Sequence, residues 1–238
     1  TLNITDSNIT GNAATGTNIL QGGGGLFSGD GNVNVTRTTI NLNTAVSAGG
    51  GIAMLDGILV LIDTNLISNS ADLGGGVFAQ EDADADVTLD GGSVFGNTAQ
   101  RGGGLFIARS SLTLQNGTVV SANTASGPAA DDGGGGLFNN GGTLVIDGSL
   151  APVEITANVA DGAAGSGGGI LNLGGALTVT AALLSQNTAV RAGGGIEVTA
   201  GSTATLTNVT LDANTAGPTP GNGGGLHITG AGTVTIED

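Results

Sequence analysis

Few side chains in this sequence have the chemistry to act on a substrate. There is one His, His227, there is no Cys, and four basic residues, all Arg, stand against 19 acidic ones. Cleaving a glycosidic bond takes two carboxyl groups facing each other across it. Asp90, Asp147 and Glu237 share one recurring outward strand position but fall in turns of the chain that are not consecutive, and Asp131-Asp132 sits in a polar loop stretch. The densest acidic run, Glu81, Asp82, Asp84 and Asp86, offers oxygen ligands of the kind Ca²⁺ takes. Extended, it puts Asp82, Asp84 and Asp86 on one side. It lacks EF-hand spacing, so a solvated charge run is the expectation. His227 is expected to be an inert surface residue. The reading is therefore a non-enzyme without cofactor, Ca²⁺ at Asp82, Asp84 and Asp86 being the one ion the residues suit.

The elements that carry these residues follow from internal repeats. A Gly run followed by an aliphatic residue recurs eight times, at Leu26, Ile52, Val77, Leu105, Leu137, Ile170, Ile196 and Leu226, every 25 to 33 residues. A second motif runs in phase: an aliphatic residue, two further residues, Asn, one residue, Ala. Its Asn residues are Asn12, Asn43, Asn69, Asn97, Asn123, Asn158, Asn187 and Asn214. Eight residues before most of them stands an apolar-x-apolar pair, such as Val33 with Val35 or Leu112 with Leu114. That alternation is a strand signal, and no stretch shows a helical period.

Each repeat thus holds three short strands with Gly, Asn or Asp turns between them. Three such strands cannot bury a core alone, so repeats must stack with identical positions in parallel register. The expected fold is all-β: a right-handed, single-stranded parallel β-helix of about eight three-stranded coils, one domain over residues 1–238. Neighbouring strands ~4.8 Å apart make a rod of roughly 40 Å, and the right hand follows the usual crossover preference. The in-phase Asn residues are expected to form a structural ladder, with the following Ala pointing inward. Galacturonases, which are built on such a helix, would carry N-T-D where this chain reads N-T-A.

Composition agrees. Gly supplies 48 of 238 residues, and the apolar 39% is nearly all Leu, Ile, Val and Ala, which suits a narrow strand-lined interior. A net charge of −15 disfavours nucleic acid and anionic membranes as partners. No apolar run reaches membrane-spanning length. A start at Thr1, without Met, reads as a processed form or a piece of something longer.

The pairing of GGGLF or GGGI with an aliphatic-x-x-N-T-A motif resembles the polymorphic outer-membrane-protein repeats, over nearly the whole chain. Two positions depart from that pattern: Gly stands where the family carries Ala, and Leu, Ile or Val where its F-x-x-N motif carries Phe. The resemblance implies a secreted, surface-displayed β-helix, often an adhesin, and supplies no catalytic residues.

In a solenoid, binding falls on outward columns and on loops that break the repeat. The residue after each Gly-motif aliphatic reads Phe27, Ala53, Phe78, Phe106, Phe138, Leu171, Glu197 and His227. Alternation turns this column outward, so Phe78, Phe106 and Phe138 are expected to form an exposed apolar contact stripe. The long loops Thr15–Gln21, Ser126–Asp132, Asp161–Ser166 and Gly217–Asn222 are expected along one edge, where surface glycans would bind or be cleaved in an alternative reading. The first strand, with Leu2 and Ile4, and the last, with Val234 and Ile236, carry the same motif in the same phase. Open ends of this kind invite head-to-tail stacking of copies, or belong to a longer solenoid. The expected function is an extracellular adhesin-like rod or self-assembling fibre subunit.

Overall fold

The computed structural model describes residues 1–80, 85–199, 201–218, 220–230 and 232–238. The chain is an all-β parallel solenoid of about eight coils. Each coil visits three sheets in turn. Among the described residues the first sheet has nine strands, from Leu2–Thr5 to Thr233–Glu237. The second has eight, from Asn8–Thr10 to Thr210–Asp212, and the third eight, from Leu26–Ser28 to Leu226–Ile228. Every pairing is parallel and joins equivalent motif positions: Val87 with Leu59 and Leu112, Val94 with Leu66 and Val120, Val77 with Ile52 and Leu105.

Period-two alternation is what fills the interior. Along Asp86–Asp90, Val87 and Leu89 are buried while the residues between them are not. Leu, Ile and Val from the three sheets merge into one continuous apolar core. The three-strand expectation needs one addition. The Thr-Ala pairs of the Asn motif form a fourth ladder of two-residue strands, Thr98–Ala99 through Thr215–Ala216, with Thr44 and Ser70 bridging toward the first coils. Its Ala side chains point inward, as expected: Ala99, Ala125, Ala160 and Ala189 are all buried.

The Gly runs follow this ladder. A Cβ on Gly103 would lie 2.5 Å from the carbonyl oxygens of Gly135 and Thr124, so only Gly lets neighbouring coils approach so closely here. Just before it, Gly102 at φ +61° turns the incoming chain back over the third sheet. The long loop of the first coil adds a single turn of 3-10 helix, Ile19–Gln21, capped by Asn18.

Candidate functional site

The Asn column forms the ladder expected of it. Asn97 donates from Nδ2 to Asn123 Oδ1 (2.9 Å) and to the Leu66 carbonyl of the coil before (2.9 Å). Its Oδ1 accepts from both the backbone N–H (2.9 Å) and the Nδ2 (3.0 Å) of Asn69. Two donors and two lone pairs are all used, which is the full capacity of a carboxamide. Asn43, Asn69, Asn123, Asn158 and Asn187 repeat the arrangement and are buried. The residue before every ladder Asn, from Gly11 through Leu42, Ser68 and Ala122 to Ala213, has φ between 51° and 69°. That left-handed turn is costly for non-Gly residues. It recurs because it aims the Asn side chain along the rod axis. The end rungs bond on one side among the described residues: exposed Asn12 bonds forward, to Asn43, and Asn214 backward, accepting from Asn187 N–H and Nδ2 and donating to the Leu184 carbonyl.

The aromatic stripe is the main correction. Phe78, Phe106 and Phe138 do face out from the third sheet, but they are 0%, 4% and 2% exposed. With Ala48, Ala53 and Leu171 they form a second apolar core, flanked by Leu55, Leu73, Ala108 and Leu173. The chain entering each Gly run folds back over this face and pairs coil to coil, Ala48 with Leu73 with Arg101. Phe78 and Phe106 stack at 5.6 Å, and Phe106 and Phe138 meet edge-on at 5.0 Å. Of the four Phe residues in this column, Phe27, in the first coil, is the one that stays well exposed. The three rings are packing residues in this chain and present no contact surface.

The same column turns polar in the last two coils, and there too exposure was the wrong expectation. Glu197 is fully buried. His227 Nδ1 lies 2.7 Å from Glu197 Oε2, Thr229 Oγ1 donates to Oε1 at 2.9 Å, and Arg191 Nη2 reaches Oε1 at 3.3 Å. Arg191 is itself held by Ser166, Nε to Oγ at 2.8 Å. His227 is thus tied to a buried carboxylate and is no idle surface residue. A buried charge survives only when paired and hydrogen-bonded, and this one has three partners. The pattern that would have found it is the sequence of the column itself, where Glu follows Phe, Phe, Phe and Leu at a position the fold covers.

A second, shorter Asn ladder carries the motif N-x-G-G. Asn139 and Asn172 point into the core from the third sheet and are fully buried. Asn139 Nδ2 donates to Asn172 Oδ1 at 2.8 Å, and its Oδ1 accepts from Gly142 N–H at 2.9 Å. Its repetition in two successive coils was the available signal.

Among the described residues the carboxylates do not converge. Asp90, Gln115, Asp147, Thr180, Thr207 and Glu237 are successive rungs of one column, so the acids are separated as the spacing implied. Asp147 accepts from the Ser149 hydroxyl and amide, which holds its carboxyl below the usual range. Asp6 is held low by the hydrogen bond from Arg37. Asp132 is buried, paired with Arg101 and bonded to Ala129 N–H. Asp82 and Asp84 lie outside the described residues. Asp86 is exposed and accepts from Ser111 Oγ at 2.6 Å. Among the described residues no group of three or more His, Cys, Asp or Glu could hold a metal, and no helix is long and apolar enough to cross a membrane.

At the ends, Leu2 and Ile236 are exposed, and Ile4 and Val234 pack against the margin of the core. The last strand pairs with Thr203–Thr207 in the register that continues the first sheet. Comparison of the chain with protein-family models, with curated proteins and with solved structures finds no match.

Proposed function

We propose that this chain is a non-enzymatic, extracellular structural module: a rod segment of a surface protein, adhesin-like in architecture and built to join further coils at its ends. The observation that carries the reading is the state of the Asn ladder. Its inner rungs use every donor and acceptor, bonding coil to coil along the axis, an arrangement that holds a rod together and that further coils of the same repeat can extend. The end strands expose unpaired backbone edges and apolar residues. The resemblance to the polymorphic outer-membrane-protein repeats points in the same direction, toward secretion and surface display.

Two kinds of neighbour would continue the sheets. A second copy laid with Leu2–Thr5 on Thr233–Glu237 would leave the second and third sheets one strand short, because the first sheet has one strand more than they do. Further coils of a longer solenoid would fill all three. On this reading copies of the chain associate reversibly through the end strands. Charge placed on the end strands tests this: Ile4→Lys with Ile236→Lys abolishes association and leaves the inner coils intact. Association unchanged in that variant would overturn the end-contact reading.

A further inference from the structure

The long loops leave a gap on their edge of the rod. The first coil carries the loop Thr15–Gln21 and the fifth carries Ser126–Asp132, while the three coils between them connect the Asn motif to the Gly run by only a few residues. Three short coils at ~4.8 Å each set the two loops about 14 Å apart and leave a notch beside the first-coil loop. Thr17 and Ile19 line one wall, and Ser47, Asp72, Leu73, Gln100 and Arg101 form the floor, around a cavity of about 260 Å³.

Walls and floor are fixed before any ligand arrives. On one side the Asn18 carbonyl accepts from Ser47 Oγ at 2.8 Å, and Asn18 Oδ1 caps the 3-10 turn through Leu20 N–H at 2.9 Å. On the other, Arg101 Nε pairs with buried Asp132, which also accepts from Ala129 N–H at 2.8 Å. Across the floor Gln100 Nε2 donates to Asp72 Oδ1 at 2.8 Å. None of these bonds crosses to a core element, yet together they place a carboxylate, a carboxamide and a guanidinium side by side on exposed residues of adjacent coils. Ile19 and Leu73 add apolar surface beside them.

We infer that this notch binds a neutral saccharide. Three planar groups carry both donors and acceptors, which is the chemistry that takes up neighbouring hydroxyls two at a time. The apolar side chains suit the C–H faces of a sugar ring. Asp72 and Asp132 outweigh Arg101, and the chain bears −15, so anionic glycans are disfavoured. The cavity, about 260 Å³, is smaller than typical drug-sized pockets of about 300–1,000 Å³, which fits a short stretch of a chain-like ligand. This inference is independent of what meets the ends of the rod.

The test is an amide-resolved NMR titration of the chain with maltotriose, cellotriose and N,N′,N″-triacetylchitotriose in turn. At least one should give saturable shifts centred on the amides of Ser47, Leu73 and Arg101. In the Asp72→Ala, Gln100→Ala double variant, melting at the wild-type temperature, affinity should fall at least about tenfold, as the loss of one or two ligand hydrogen bonds implies. No saturable shift with any of the three, shifts that persist at full affinity in the variant, or the same shifts with CaCl₂ alone would each overturn the inference.

Discussion

One column on the outside of the third sheet is filled in two different ways. In coils three to six it holds Phe78, Phe106, Phe138 and Leu171, and in coils seven and eight Glu197 and His227. Both stretches lie under chain that folds back before the Gly run, and Glu197 is as fully buried as Phe78. The backbone therefore decides that the position is covered, and the side chain decides only what the cover costs. The apolar stretch needs nothing but neighbours of suitable shape. The polar stretch needs Arg191, His227 and Thr229 together, because a lone buried carboxylate would be untenable.

The largest effect expected from this contrast is at Phe106. Phe106→Ala removes the centre of the second core and should cost about 3–5 kcal/mol in chemical denaturation. Association measured alongside should not change. An unperturbed midpoint would return the ring to the surface and restore the contact-stripe reading.

Next is Glu197. Glu197→Ala leaves Arg191 and His227 without their shared partner. Both are partly solvated, so the cost should fall below that of a fully buried pair, at about 1–3 kcal/mol. Glu197→Leu, which copies Leu171 of the preceding coil, should recover most of that loss. If Leu is as damaging as Ala in thermal melts, the polar stretch has a role beyond filling a covered position.

The Asn ladder extends the comparison from side to end. Asn97→Ala should cost about 1–3 kcal/mol, because it leaves the Leu66 carbonyl and the amides of its neighbours unpaired in the interior. Asn12→Ala, at an exposed and half-used rung, should shift the midpoint by less than about 0.5 kcal/mol. Equal losses at the two positions would mean that the ladder acts through something other than its hydrogen bonds.

These contrasts mark where sequence is and is not sufficient. The coil count, the parallel register, the Asn ladder and the inward Ala residues were legible because each motif repeats in every coil, and stacking turns a repeat into a column. Alternation also gave the correct side for Phe78, Phe106 and Phe138. It could not tell that the face was covered, because the cover comes from the chain just before the turn at Gly102 and its equivalents, where the residues vary between coils, from Ala48 to Leu73 to Arg101. Glu197 misled for the same reason: a charge implies solvent only where no partner is brought to it, and Arg191 and His227 arrive from six and thirty residues away. The notch between the loops is legible as a difference in loop length, but its floor chemistry depends on contacts between coils.

The most direct test of the rod reading is sedimentation velocity of the chain over a wide concentration range, with the Ile4→Lys, Ile236→Lys variant run in parallel. The account predicts that the wild type is a 22.5 kDa monomer when dilute, that its mass rises reversibly with concentration, and that the variant stays monomeric throughout. A wild type that remains monomeric at every concentration, or a variant that associates as strongly, would contradict association of copies through the end strands and leave further coils of a longer solenoid in their place.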